Sequence, residues 1–302
     1  MGIADLPGVE VFDHNKAVDE ALDTIICSVF GASKSGKTDW SLQCERPLFV
    51  VYADPNATLD YMLLKIEERG FVGDVYKLVI PPMMGKSYED FTQADAKAIV
   101  KRVEDFAAAA RAEAAERRAK GEPTGTFLVD GMTMIKGYFE KAILGESITL
   151  GWRPEKGSRS INRYEYAKPN AALRDFTMQF SGSKMDVIFT WEGRPIWGDD
   201  KPTGRFRSTR PDMLPFCIGI EVETIKIIEP VVENQVKVGE KIVPSIRIGW
   251  NAFDMDLENR VMRSKGFAGL KRLLLVDVPA KVELDLKPLG AVVEVVNTEA
   301  LS

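Results

Sequence analysis

The chain has 302 residues, 45% of them hydrophobic and 28% charged, with 40 Lys and Arg against 45 Asp and Glu for a formal charge of −5. That balance predicts a globular chain of one large core or two small ones, and no run of about eighteen apolar residues is present to cross a bilayer as a helix. Net acidity excludes a chain built overall to wrap nucleic acid, so any such contact has to come from local basic patches.

In chain order, residues 24–30 (TIICSVF) are a short apolar, β-branched run that predicts a buried strand. A Gly-rich turn and a helix from about Lys37 to Cys44 follow, then a second strand at 47–53 that stops at Asp54-Pro55-Asn56. Residues 58–69 have helical apolar spacing and end at Gly70, a C-cap residue. A third strand is predicted at 75–80. Residues 88–120 read as one long amphipathic helix, with Ile99, Val103, Phe106, Ala110 and Ala114 at three-to-four spacing and i,i+4 charge pairs on the wet face. A strand at 126–130, a helix near 133–144, a loop to about 168, a helix at 170–182, a strand at 185–190 and a loop to about 215 come next. From Gly219 the texture is strand-rich: GIEVETIKIIEP and KIVPSIRIGW flank a turn-like ENQVKVGE, with KVELDL and AVVEVV further on.

Alternating strands and helices over 24–190 predict an α/β fold with a mostly parallel sheet between helices. The expected organisation is an N-terminal segment (1–23), a core (24–216) and a β-rich C-terminal extension of that core (217–302). Three cysteines without short spacing (Cys27, Cys44, Cys217) argue against a zinc ribbon or disulfide scaffold, and the lone His14 leaves little room for Ser-His chemistry. Reduced cysteines, with neither a basic-then-apolar start nor a myristoylation pattern at the N-terminus, predict a cytoplasmic location.

The motif that decides the class is Gly31-Ala32-Ser33-Lys34-Ser35-Gly36-Lys37-Thr38, a G-x-x-x-x-G-K-[ST] loop placed between a strand and a helix. The glycines let the backbone curl so that successive N–H groups converge on phosphate oxygens. Lys37 is expected to reach the β- and γ-phosphates and Thr38 to ligate Mg²⁺, with Asp39 completing the cofactor-binding segment. Phe127-Leu128-Val129-Asp130 is an apolar strand ending in a carboxylate, which makes Asp130 the second metal-side residue. Because Gly131 follows, an adjacent Asp-Glu pair is absent. Asp54, at the end of a neighbouring strand, is then the candidate to polarise the attacking water.

With GASKSGKT, FVVYADPNATLDYML, FLVDGMT and VIFTWEG in sequence order, residues 24–215 resemble the RecA-like P-loop ATPases, and most of all the phage-type members of the recombination and single-strand-annealing class. The resemblance implies a RecA-like core, ATP and Mg²⁺ as cofactors, and a homo-oligomeric ring or filament, in a host cytoplasm if the source is viral. It also implies a catalytic carboxylate where this chain has Asp54 rather than Glu. A γ-phosphate sensor ends the 185–190 strand in that family, so Thr190 or Glu192 takes the role here. The loops after the fourth and fifth strands contact DNA in such a layout. Here they offer Arg153, Lys156, Arg159 and Arg163, then Arg205, Arg207 and Arg210, interleaved with Trp152, Tyr164, Tyr166, Trp197 and Phe206. Residues 145–215 carry twelve Lys and Arg against nine Asp and Glu, so the basic excess is local. Cations with interleaved rings suit single strands, where phosphates pair with charge and bases stack on aromatics.

The expected function is a Mg·ATP-dependent ATPase coupled to single-stranded DNA in recombination or replication. Two alternatives stand beside it: a P-loop kinase of a small acceptor, with 194–210 as an arginine-rich lid, and a weakly hydrolysing, nucleotide-dependent assembly, packaging or loader protein.

Overall fold

The central strands run buried on both faces, and their side chains sort by parity between two core layers. The computed structural model describes residues 24–53, 59–87, 90–145, 165–198, 201–211, 218–233, 236–251, 261–263 and 266–275. Within them, β1 (Ile26–Gly31), β2 (Leu48–Tyr52), β3 (Val75–Val79), β4 (Thr126–Asp130) and β5 (Asp186–Thr190) lie close to the predicted spans. In β4, Phe127 and Val129 enter one core layer and Leu128 the other; in β5, Val187 and Phe189 oppose Ile188 in the same way. Such strands read as continuous apolar runs because helices cover both faces.

The helices are α1 (Lys37–Leu42), α2 (Leu59–Glu67), α3 (Gln93–Ala119), α4 (Met132–Leu144) and α5 (Ala167–Met178). Helix α3 buries Ala96, Ile99, Val103, Ala107, Ala110 and Ala114, a stripe narrow enough to seat the helix close against the sheet. It starts later than the apolar spacing predicts because Thr92 forms a capping box with Asp95: the Asp95 N–H donates to Thr92 Oγ1 at 3.2 Å and the Thr92 N–H to Asp95 Oδ2 at 2.9 Å.

Beyond β5 the structure corrects the sequence reading. The stretch expected to be a loop to about 215 contains an antiparallel hairpin, β6 (Gly193–Gly198) and β7 (Lys201–Ser208). Two long strands follow, β8 (Ile220–Glu233) and β9 (Val236–Asn251), so most of the supposed turn ENQVKVGE is strand. After β10 (Val261–Arg263) comes α6 (Gly266–Leu275), a helix that strand-rich texture does not predict. Its Phe267 meets Trp40 of α1 edge-on at 6.0 Å. The strands KVELDL and AVVEVV lie outside the described residues.

The sheet order is β10-β9-β8-β1-β5-β4-β2-β3. Strands β8, β1, β5, β4, β2 and β3 are parallel neighbours, and β9 and β10 continue antiparallel from β8. Strand β5 therefore sits between the strand before the Gly-rich loop and the strand ending in Asp130, the order of a RecA-like P-loop core, with a β-rich region added beside β8. In-register pairing (Val29 with Thr190, Val129 with Phe189, Tyr52 with Asp130) brings the carboxyl ends of β1, β5, β4 and β2 to one edge. Open parallel sheets bind ligands at that edge.

Candidate active site

The Gly-rich loop leaves β1 at Gly31 and enters α1 at Lys37. Two successive departures into the left-handed region give it its curl, Lys34 at φ 59° and Gly36 at φ 95°. Gly36 is the N-cap of α1 and brings no side-chain cap, so the first amides of the helix are left for another acceptor. The Ser35 N–H closes the turn onto the Ala32 carbonyl at 3.3 Å. A side chain at Gly31 has no room: a Cβ there would stand 2.6 Å from the Thr224 carbonyl oxygen and 2.8 Å from Ser35 Oγ.

Lys37 Nζ lies back over the loop and donates to the carbonyls of Gly31 at 3.2 Å and Ala32 at 2.8 Å. Neutral carbonyls hold an ammonium less strongly than phosphate oxygens do, so an arriving polyphosphate competes well for it. Ser33 and Lys34 are exposed at the mouth of the loop, and Thr38 is half-buried on the first turn of α1. Asp39, placed by the sequence in the cofactor-binding segment, has its carboxylate at 3.0 Å from Arg69 and 3.0 Å from Gln43 Nε2, so it ties α1 to the end of α2.

Across β5, Asp130 is buried at the end of β4 and its Oδ1 accepts from Thr190 Oγ1 at 2.6 Å. The same Thr190 oxygen accepts from the Gly131 N–H at 2.8 Å. Thr190 thus orients the carboxylate and holds the turn that launches α4. Glu192, half-buried just after β5, has its backbone fixed on both sides: its N–H donates to Thr133 Oγ1 at 2.9 Å and its carbonyl accepts from the Thr209 N–H at 3.0 Å. Asp54 lies outside the described residues, as do Arg153, Lys156, Arg159 and Arg163.

These donors fit a magnesium nucleotide. Mg²⁺ is usually held by one or two protein oxygens plus substrate phosphates and water rather than by an all-protein cage. Among the described residues, no group of three His, Cys, Asp or Glu side chains is placed to hold a metal ion. A hydroxyl on α1, a hydroxyl-oriented buried carboxylate on β4 and a curled loop at one sheet edge match that donor set.

The arginines beyond β5 divide. Arg194, Arg205 and Arg207 are exposed on the hairpin, with Arg194 directly opposite Arg207 in the register. Arg210 is committed elsewhere: its guanidinium grips Glu221 of β8 through two bonds, at 2.6 and 3.1 Å, with only 13% of the side chain exposed. Glu223, two residues on, accepts from the Phe206 N–H and from Arg247 at 2.6 Å. Burial raises the Glu223 carboxyl above its ordinary range, and the Arg247 charge opposes that rise.

No model of a known protein family matches the chain, and no curated protein matches it. Among solved structures, that of a KaiC-like protein from the hyperthermophilic archaeon Pyrococcus horikoshii is similar, with a TM-score of 0.33 and 9% identity over 74% of this chain and 77% of that one. So distant a likeness adds nothing to the strand order and the loop, which define the fold by themselves. Among the described residues, no helix is long and apolar enough to cross a membrane.

Sequence reasoning passed over three residues at this edge. Thr133 and Gly193 end the stretches FLVDGMT and VIFTWEG, but neither was given a role, though Gly193 directly follows Glu192, one of the two residues expected to sense the γ-phosphate. Thr224 is 189 residues away from Ser35, and no local pattern marks it.

Proposed function

We propose that the chain is a RecA-like ATPase that binds Mg·ATP at Gly31–Thr38 and couples nucleotide state to single-stranded DNA in recombination or replication, as a homo-oligomeric ring or filament. One observation carries the nucleotide part: a curled loop with Lys37 folded over it shares a sheet edge with a carboxylate oriented by Thr190. In this reading the amides from Gly36 onward grip the phosphates, Lys37 leaves its carbonyls for the β- and γ-oxygens, and Thr38 and Asp130 hold the metal, which neutralises charge on the phosphates. Asp54 or Glu192 orients the attacking water.

The DNA part is supported by the hairpin. Two guanidiniums set opposite each other repel unless an anion lies across them, and a phosphate backbone is such an anion. Arg194, Lys201, Arg205 and Arg207 are exposed on the same hairpin as Trp197, which is 63% exposed and can stack on a base. Arg210 belongs to the fold rather than to this surface.

The test is ATP turnover with and without single-stranded oligonucleotide, comparing wild type with Lys37→Ala. Stimulation by DNA and loss of at least about a hundredfold in Lys37→Ala are expected. Turnover indifferent to both the oligonucleotide and the substitution sinks the reading.

A further inference from the structure

Ser35 is the one loop residue between Gly31 and Gly36 that is buried, and it sits between two left-handed residues, Lys34 and Gly36. A non-glycine residue such as Lys34 holds that conformation at a cost of about 1–2 kcal/mol, so something outside the loop must keep the curl in place.

The holding contact comes from β8. Thr224 lies beside Gly31 in the parallel register, and both it and Ser35 are almost fully buried. Their hydroxyl oxygens are 2.5 Å apart, and Thr224 Oγ1 also donates to the Phe30 carbonyl at 3.3 Å. With the single Thr224 proton directed at the Phe30 carbonyl, the Ser35 hydroxyl donates to Thr224 Oγ1, and Ser35 is pinned to a strand that belongs to the sheet. The same threonine closes the space above Gly31, where a Cβ would lie 2.7 Å from its Oγ1.

We propose that Thr224 is a positioning residue of the phosphate loop, whose hydroxyl holds Ser35 so that the loop is curled for a nucleoside polyphosphate before the ligand arrives. The inference rests on the phosphate-site reading above. Its consequence is thermodynamic: with the pin removed, bound phosphate must itself order the loop, and affinity falls by the ordering cost. β8 then becomes part of the site, although it lies some two hundred residues beyond the motif.

The experiment is calorimetric titration of the full chain with Mg·ADP. Thr224→Val keeps the shape and removes the hydroxyl; it is expected to raise Kd about five- to tenfold with stoichiometry unchanged. Thr224→Ser keeps the hydroxyl and is expected within about twofold of wild type. Ser35→Ala removes the other end of the bond and is expected to match Thr224→Val, with the double variant no weaker than either single one. A wild-type Kd in Thr224→Val, or a fall in stoichiometry at unchanged Kd, overturns the proposal. Should Thr224→Val fail to fold, wild-type affinity in Ser35→Ala overturns it equally. Wild-type binding abolished by Lys37→Ala but untouched by Thr224→Val overturns the role of Thr224 alone, whereas a wild type that does not bind overturns the phosphate site and this role together.

Discussion

Gly193 lies flat against Gly31: a Cβ on Gly193 would stand 2.7 Å from both the carbonyl carbon and the carbonyl oxygen of Gly31. The first residue of the β6–β7 hairpin is therefore in backbone contact with the first residue of the phosphate loop. Neither can move far without the other. The partner atoms are main chain, so they cannot rotate aside as a flexible side chain would.

Gly193→Ala should accordingly displace the loop at Gly31. Overpacking of a tight backbone contact typically costs about 1–3 kcal/mol. The expected outcome is a lower melting temperature together with weakened Mg·ATP binding. Gly198→Ala, at the far end of the same strand, should disturb the loop far less, since its nearest contact is a Thr203 methyl at 3.2 Å.

Thr190→Val removes the donor to Asp130 Oδ1 and the acceptor for the Gly131 N–H in one step. Leaving buried polar groups without their partners costs about 1–3 kcal/mol, so denaturant midpoints should fall. The Mg²⁺ concentration needed for half-maximal ATP binding should rise, because the carboxylate loses its orientation. Thr190→Ser, which keeps the oxygen, should restore both.

Asp186 opens β5, where its carboxylate accepts from the Ile25 N–H at 3.1 Å and from Lys271 of α6 at 2.8 Å. Burial raises its pKa from the ordinary 3.8 to about 6, against the opposing pull of Lys271. The folded state then holds the proton more tightly than the unfolded state does, so this group's contribution to stability falls as pH rises from about 4 to 6. Subtracting the unfolding free energy of Asp186→Asn from that of wild type cancels the groups they share. The difference should decline on the order of 2 kcal/mol across that window. A flat difference would contradict the assignment.

Arg205→Ala with Arg207→Ala should weaken single-stranded oligonucleotide binding and make the dependence of log affinity on log salt shallower by about 1–2, as two phosphate contacts are lost. Arg210→Ala should act differently. It leaves Glu221 without its bidentate partner and should lower thermal stability, with little change in the salt slope.

Thr92→Ala should cost about 1 kcal/mol by removing the N-cap of α3. Its effect should appear in denaturant unfolding and leave nucleotide affinity unchanged, because the cap belongs to the helix layer rather than to the phosphate edge.

Local chemistry wrote much of this molecule legibly. Runs such as FLVD and DVIF read as buried strands, and the spacing from Ile99 to Ala114 as an amphipathic helix. The glycines and Lys37 announce a phosphate loop because each meets a requirement that acts within eight residues. The Thr92–Asp95 box was equally local, an S/T-x-x-acid pattern visible in the sequence once the helix start is known to depend on it. What stayed hidden were partnerships across the sheet. Arg210 and Arg207 look alike in one dimension, yet one grips Glu221 and the other faces solvent, because only the placement of β7 against β8 brings a carboxylate to the first. In the same way, Thr190 reaches Asp130 and Thr224 reaches Ser35 only once β5 and β8 have taken their places on either side of β1. Backbone curl and hydrophobic period are set by neighbours along the chain. Hydrogen bonds between strand ends depend on which strands lie side by side, and that is decided when the whole sheet closes its two cores.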